Sequence, residues 1–199
     1  MSDGFIIKRG GGSGGGVDPS IIERTATNIT ADMLKGVTCI GEYAFYYCSN
    51  LASIEIPNGV KSIGGHALQK CTSLTSVTIP NGVTSIGSYT FNDCTSLTSI
   101  TIPNGVTSIG GSAFQSCTSL TSITISNSVT SIGDAAFYNC QRLASVTVKA
   151  TTPPTLGNNV FYVTHANLAI YVPTESVDAY KAANNWSTYA DRIQAIPSD

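Results

Sequence analysis

A period of 23 residues runs through most of this sequence and constrains its fold more than any other feature. Leucine recurs at Leu51, Leu74, Leu97, Leu120 and Leu143, and cysteine at Cys48, Cys71, Cys94, Cys117 and Cys140, each one period apart. A unit this short cannot bury its own apolar edge, so successive units must stack as coils of a solenoid. The segment from Leu97 to Ser119, LTSITIPNGVTSIGGSAFQSCTS, shows how one coil is built. Leu97, Ile100 and Ile102 follow an L-x-x-I-x-I spacing that sends the two isoleucines to one side of a strand and Thr101 to the other. Pro103-Asn104-Gly105 then turns the chain: proline fixes φ and removes a ladder donor, and Asn-Gly tolerates positive φ. Val106 and Ile109 bracket a short extended piece, and Gly110 permits another bend. Ala113, Phe114 and Cys117, at i, i+1 and i+4, suit one or two helical turns that close the coil.

Stacking at strand spacing, about 4.8 Å, brings like residues into columns. One column holds Ile40, Ile63, Ile86, Ile109 and Ile132, and another holds Phe45, Leu68, Phe91, Phe114 and Phe137. These columns are the expected core. The expected fold class is α/β: a solenoid whose coil is strand, short strand and short helix, with a helical cap at the C-terminus.

Composition removes several function classes. From Cys71 to Cys140 there is no Lys or Arg, the only acids are Asp93 and Asp134, and 27 of the 70 residues are Ser or Thr, so this surface is neutral and covered in hydroxyls. Nucleic-acid binding needs clustered Lys and Arg, and a net charge of −2 without such a cluster argues against it. No apolar run approaches the roughly 20 residues that span a bilayer, so no membrane span is expected. The start, MSDGFIIKRGGG, lacks the order of charge and apolar stretch that marks a signal peptide.

Residues 1–17 hold the run Gly10-Gly11-Gly12-Ser13-Gly14-Gly15-Gly16 and read as a flexible leader or tether. They are not a phosphate loop, because Lys8 and Arg9 precede the glycines instead of following them. Residues 18–50 read as a capping coil and a first partial repeat, with Ala31 placed under Ile54 and Met33 under Ile56. Residues 51–150 are the full repeats. Residues 151–199 carry a last strand through Leu168, Ile170 and Val172 that ends at Pro173, then a helical segment. Thr174 or Ser176 is expected to cap that segment, and Val177, Tyr180 and Trp186 to cover the open end of the stack.

Candidate chemistry is sparse. Five of the six cysteines share one coil position beside Phe, where a thiol behaves as a small buried hydrophobe. The closest pair, Cys39 and Cys48, is too far apart in sequence for a zinc site. His66 and His165 have no nucleophile pattern around them. Glu42, Glu55, Asp93 and Asp134 occupy different coil positions, unlike a glycosidase pair. The sequons Asn28-Ile29-Thr30 and Asn185-Trp186-Ser187 matter only in a secreted eukaryotic protein. The expectation is a non-enzyme without cofactor or metal.

Two faces remain for binding. The outward strand positions form stacked hydroxyl columns, and Ser76, Thr78, Ser99, Thr101, Ser122 and Thr124 are the candidate ligand-binding face. The alternative is the opposite edge of the coils, where Tyr43, Tyr46, Tyr89 and Tyr138 vary from coil to coil; exposed tyrosines often mark contacts.

The repeat resembles the BspA-like class of leucine-rich repeat, whose consensus runs close to L-x-x-I-x-I-P-x-x-V-x-x-I-G-x-x-A-F-x-x-C, over roughly residues 36–199. The ending Ile170-Tyr171-Val172-Pro173, with Tyr180-Lys181 and Trp186, is similar to that family's C-terminal cap. The resemblance implies a non-enzymatic binding scaffold, and many members are surface adhesins. The start Gly4-Phe5-Ile6-Ile7-Lys8-Arg9 before a glycine run is similar to the N-termini of phage tail-region proteins. The leading functional expectation is therefore a phage or prophage virion component that displays the repeats for host recognition. The alternative is a bacterial cell-surface adhesin or interaction module. A remoter one is ice binding by the Thr columns, which Ala52, Ala144 and Glu55 interrupt. Implied partners are virion or surface proteins at the leader, a host-surface glycan or protein at the repeats, and further copies of the chain.

Overall fold

The computed structural model describes residues 26–198, which wind as a parallel β-solenoid. Two strand columns run along it. The first holds β1 (Asn28–Ile29), β3 (Ser53–Glu55), β5 (Ser76–Thr78), β7 (Ser99–Ile102), β9 (Ser122–Ile125), β11 (Ser145–Val148), β13 (Ala169–Val172) and β14 (Ile193–Ala195). The second holds the two-residue strands β2 (Cys39–Ile40), β4 (Ser62–Ile63), β6 (Ser85–Ile86), β8 (Ser108–Ile109), β10 (Ser131–Ile132) and β12 (Thr155–Leu156), paired in one six-stranded sheet. Register follows the repeat: Ser99 faces Ser122, Ile100 faces Ile123 and Thr101 faces Thr124. The first column divides into β1-β3-β5 and β7-β9-β11-β13-β14, with no ladder pairing between β5 and β7.

The coil closes differently from the expected helical turns. In every coil two residues take positive φ, for example Ser112 at 55° and Ser116 at 60°, so Ala113, Phe114 and Cys117 lie in consecutive tight turns. The left-handed residues swing alternate amides out of the coil. Phe114 N–H donates to Ala136 O at 2.8 Å in the next coil, while Cys117 N–H stays within its own coil and donates to Phe114 O at 3.2 Å. A helix would have aimed all its N–H groups along its own axis and left neighbouring coils unbonded on this side. Left-handed backbone is unfavourable for ordinary side chains, and the inter-coil bond offsets that cost.

The Pro-Asn-Gly turns form as expected, with Val106 N–H closing on Pro103 O at 3.1 Å, but not through positive φ. Among the described glycines only Gly36 has it, at 79°. Glycine is present for space instead. A Cβ on Gly105 would lie 2.8 Å from Val83 O and closer still to Asn81 O of the preceding coil.

The Ile and Phe columns are buried as expected and form one continuous core, extended by Phe161. Phe91, Phe114, Phe137 and Phe161 stack face to face, with centroids 5.2, 5.2 and 5.6 Å apart. The five periodic cysteines are buried and outside any disulfide, beside this column. Four donate to a carbonyl of the preceding coil, such as Cys117 Sγ to Phe91 O at 3.2 Å.

Both ends need correction. In the first coil Ile29, not Ala31, pairs with Ile54, and Met33 is exposed, because the stretch from Ile29 to Ile40 is two residues longer than the matching stretch from Ile54 to Ile63. Beyond Pro173, neither Thr174 nor Ser176 caps with its side chain. The helical segment comprises α1 (Val177–Ala182) flanked by 3-10 turns at Thr174–Ser176 and Trp186–Arg192. Tyr180 and Trp186 are buried as expected, and each bonds a backbone carbonyl: Tyr180 OH to Ala150 O at 2.8 Å and Trp186 Nε1 to Pro154 O at 2.7 Å. The chain then adds β14 in parallel beside β13, so the strand sheet ends on a covering strand that the sequence reading did not anticipate. The glycine-rich leader expected at residues 1–17 lies outside the described residues.

Candidate functional surfaces

On the strand face the alternation of β5, β7 and β9 puts Val77, Ile100 and Ile123 inside and turns Ser76, Thr78, Ser99, Thr101 and Ser122 out to solvent; Thr124 is half-buried. None of these six hydroxyls bonds to another described residue. Threonines elsewhere in the same coils behave otherwise. Thr75, Thr98 and Thr121 donate to the carbonyl one coil back at 3.2–3.4 Å, and Thr107 and Thr130 do the same at 3.1 Å. Those hydroxyls lace coils together, whereas the six on the strand face keep their full donor and acceptor capacity.

Five of the six, all but Ser122, line a shallow depression of about 520 Å³ that crosses the β5–β7 junction. Asn81 and Asn104 from the turns border it, and so does Lys149. Lys149 corrects the picture of a face without cations: it follows β11 directly, at the coil position of Pro103 and Ser126, and borders the depression.

On the opposite edge Tyr43, His66 and Tyr89 form a ladder of parallel rings, with centroids 4.6 and 4.8 Å apart and planes within 11°. His66 Nδ1 also meets Gln69 Oε1 at 2.6 Å, and Gln69 bonds Asn92 Oδ1 at 2.7 Å. Tyr46 meets Tyr43 edge-on at 5.6 Å, and Lys70 Nζ lies 5.7 Å from the centre of the Tyr47 ring. Tyr138 lies apart from this group and stacks on Tyr162 at 5.8 Å. The four expected tyrosines therefore fall into two clusters held by ring contacts, and their hydroxyls have no hydrogen-bond partner among the described residues.

Four of the buried thiols are held in the protonated form. Burial, which disfavours the thiolate, pushes Cys140 up to about 12 and also raises Cys94 and Cys117; at Cys71 the Cys48 thiol is the larger cause and burial adds to it. Among the described residues no group of three or more His, Cys, Asp or Glu is placed to hold a metal ion, and no helix is long and apolar enough to cross a membrane.

The profile of the BspA type leucine rich repeat region matches residues 32–169 in 6 copies. The chain belongs to this family. Among solved structures it is similar to a leucine rich cell surface protein of Faecalibacterium prausnitzii, with 34% identity over 64% of this chain and a TM-score of 0.61. It covers only 34% of that protein's length. The leucine rich repeat protein of T. pallidum is similar at 28% identity and a TM-score of 0.63, over 84% of this BspA-type chain and 83% of its own. The pneumococcal vaccine antigen PcpA shares the fold at 14% identity, with a TM-score of 0.61 over 88% of this chain and 42% of its own. No curated protein matches significantly.

Proposed function

We propose that this BspA-type solenoid is a non-catalytic binding module of a bacterial cell surface, and that it engages a neutral, hydroxyl-rich glycan through the strand face. The free hydroxyls of Ser76, Thr78, Ser99 and Thr101 around one depression carry the reading. Similar coils use their other threonines to bond themselves together, so the unbonded ones are available to a ligand that both donates and accepts. Each hydrogen bond contributes only about 0.5–1.5 kcal/mol, so affinity accumulates over several coils and over several copies on one surface. Lys149 is one cation at the border, and binding should depend only weakly on salt.

Placement at a cell surface draws support from the named cell surface protein of F. prausnitzii. The virion placement draws on residues 4–16, which lie outside the described residues, and the similar structures do not add to it. Immunogold labelling of intact cells and of purified phage particles from the source separates the two placements. For the ligand, Thr78, Thr101 and Thr124 are replaced together with Lys, and binding to a neutral-glycan array is compared with a Tyr43/Tyr89/Tyr138→Ala variant. The strand-face reading requires that only the lysine variant lose binding. Loss in the tyrosine variant alone would move the site to the opposite edge.

A further inference from the structure

The C-terminal cap creates a second depression that the repeat coils do not have. Its volume is about 500 Å³, within the range that holds a small ligand. One wall is the last repeat-like turn, residues 157–164, and the other is the 3-10 segment Trp186–Arg192.

Arg192 is half-buried there, and among the described residues its only hydrogen bond goes from Nη1 to Thr164 Oγ1 at 3.4 Å, with no carboxylate paired to it. A guanidinium has five N–H donors in a planar fork suited to a carboxylate, so most of its capacity is unused. Around it the polar groups are held in place. Asn185, in left-handed backbone at φ 61°, donates Nδ2 to Leu156 O at 2.6 Å and keeps Oδ1 as an acceptor. The Tyr189 hydroxyl accepts Phe161 N–H at 3.2 Å and keeps its own hydrogen to donate. The side chains of Asn159 and Thr188 have no hydrogen-bond partner among the described residues. Tyr162 stacks one ring face on Tyr138 and remains 59% exposed as it lines the depression, so its other face is open to a ring-shaped ligand. Asp134, whose carboxylate takes the Asn158 backbone and side-chain N–H groups at 2.6 and 3.3 Å, does not line the depression.

We propose that this depression binds a carboxylate-bearing pyranose, an acidic sugar unit of a glycan. Arg192 holds the carboxylate, Asn159, Asn185, Thr188 and Tyr189 take the ring hydroxyls, and Tyr162 stacks on the apolar face of the sugar. The site is independent of the strand face, and its ligand differs by one full charge.

The test is an NMR titration of isotopically labelled protein with methyl β-D-glucuronide and with methyl β-D-glucoside, which differ only in a carboxylate in place of a hydroxymethyl group. The glucuronide should shift amides of residues 159–164 and 185–192, the glucoside should bind at least tenfold more weakly, and added salt should weaken the glucuronide alone. Arg192→Gln should reduce glucuronide binding at least tenfold. Asn159→Asp, which keeps a residue tolerant of left-handed backbone but adds a negative charge, should do the same. The triple lysine variant of the strand face should bind the glucuronide normally. The proposal is overturned if the two sugars bind alike, if both cap variants bind as the wild type, if the shifts fall elsewhere, or if nothing shifts at ~10 mM sugar. Equal binding of N-acetyl-trialanine, a peptide with a free carboxylate, would also overturn it, by showing a site that reads carboxylates without reading a sugar.

Discussion

Replacing Phe114 with Ala tests the stacked core where it is most regular. Phe114 is fully buried, and its ring lies 5.2 Å from both Phe91 and Phe137, with planes 9° and 2° from parallel. Truncating a buried Phe costs about 3–5 kcal/mol, and each aromatic pair lost contributes about 0.5–1.5 kcal/mol. Two pairs vanish together, which places the expected loss at the upper end, about 4–5 kcal/mol. For a chain of this length that lowers Tm by roughly 10–20 °C. Phe91→Leu is the matched control. Leu68 already occupies this column without harm to its burial, and the substitution sacrifices only the pair with Phe114, so it should cost less than about 1.5 kcal/mol. Urea unfolding is followed by far-UV circular dichroism and by the fluorescence of Trp186, the single tryptophan, which sits in the C-terminal cap. In a one-dimensional stack the two probes should coincide in the wild type and separate in Phe114→Ala, because a weak central interface uncouples the halves. A loss below about 0.5 kcal/mol, or equal losses in the two variants, would refute the argument.

Three further outcomes are expected. The five buried thiols should resist a bulky thiol reagent in the native protein and react on unfolding, while rapid labelling of all five without unfolding would contradict the buried column. The folded pKa of Cys71, Cys94, Cys117 and Cys140 is raised, so stability should hold below pH ~9 and decline above it, by about 1.4 kcal/mol per pH unit for each thiol that ionises only on unfolding, until the folded value is reached, which for Cys140 is about 12; a flat stability profile from pH 8 to 10 would count against this. Gly133→Ala should destabilise by at least about 1–3 kcal/mol, since its Cβ would lie 2.5 Å from Gly111 N, whereas Gly41→Ala in the same column meets nothing within 4 Å and should be tolerated.

The parts legible in sequence were those set by side-chain period. Ile100 and Ile102 alternate with Thr101 in the sequence and in the burial of β7, and the spacing of Phe114 and Phe137 becomes a physical stack. What escaped was set by backbone geometry between coils. Ala113, Phe114 and Cys117 have helical spacing, but Ser112 and Ser116 reverse the local hand so that alternate amides can reach the next coil, and serine gives no signal of that. Thr98 and Thr101 are the same residue type three positions apart, yet Thr98, just before β7, bonds Thr75 O, while Thr101, an outward position within β7, has no partner among the described residues. Lys149 takes the coil position held by Pro57, Pro80 and Pro103 but falls after Cys140, beyond the stretch without Lys or Arg from which the face was read as neutral, and Arg192 lies in the 3-10 segment of the cap, which the period does not reach.

The central claim, that the strand face is the binding surface, is tested most directly by hydrogen exchange with mass spectrometry on the protein saturated with a neutral glycan selected from an array. The account requires slower exchange in peptides covering residues 76–81 and 99–104, with the turn edge at residues 43–47 and 66–70 unchanged. Protection confined to that turn edge, with exchange across β5 and β7 unaltered, would contradict it.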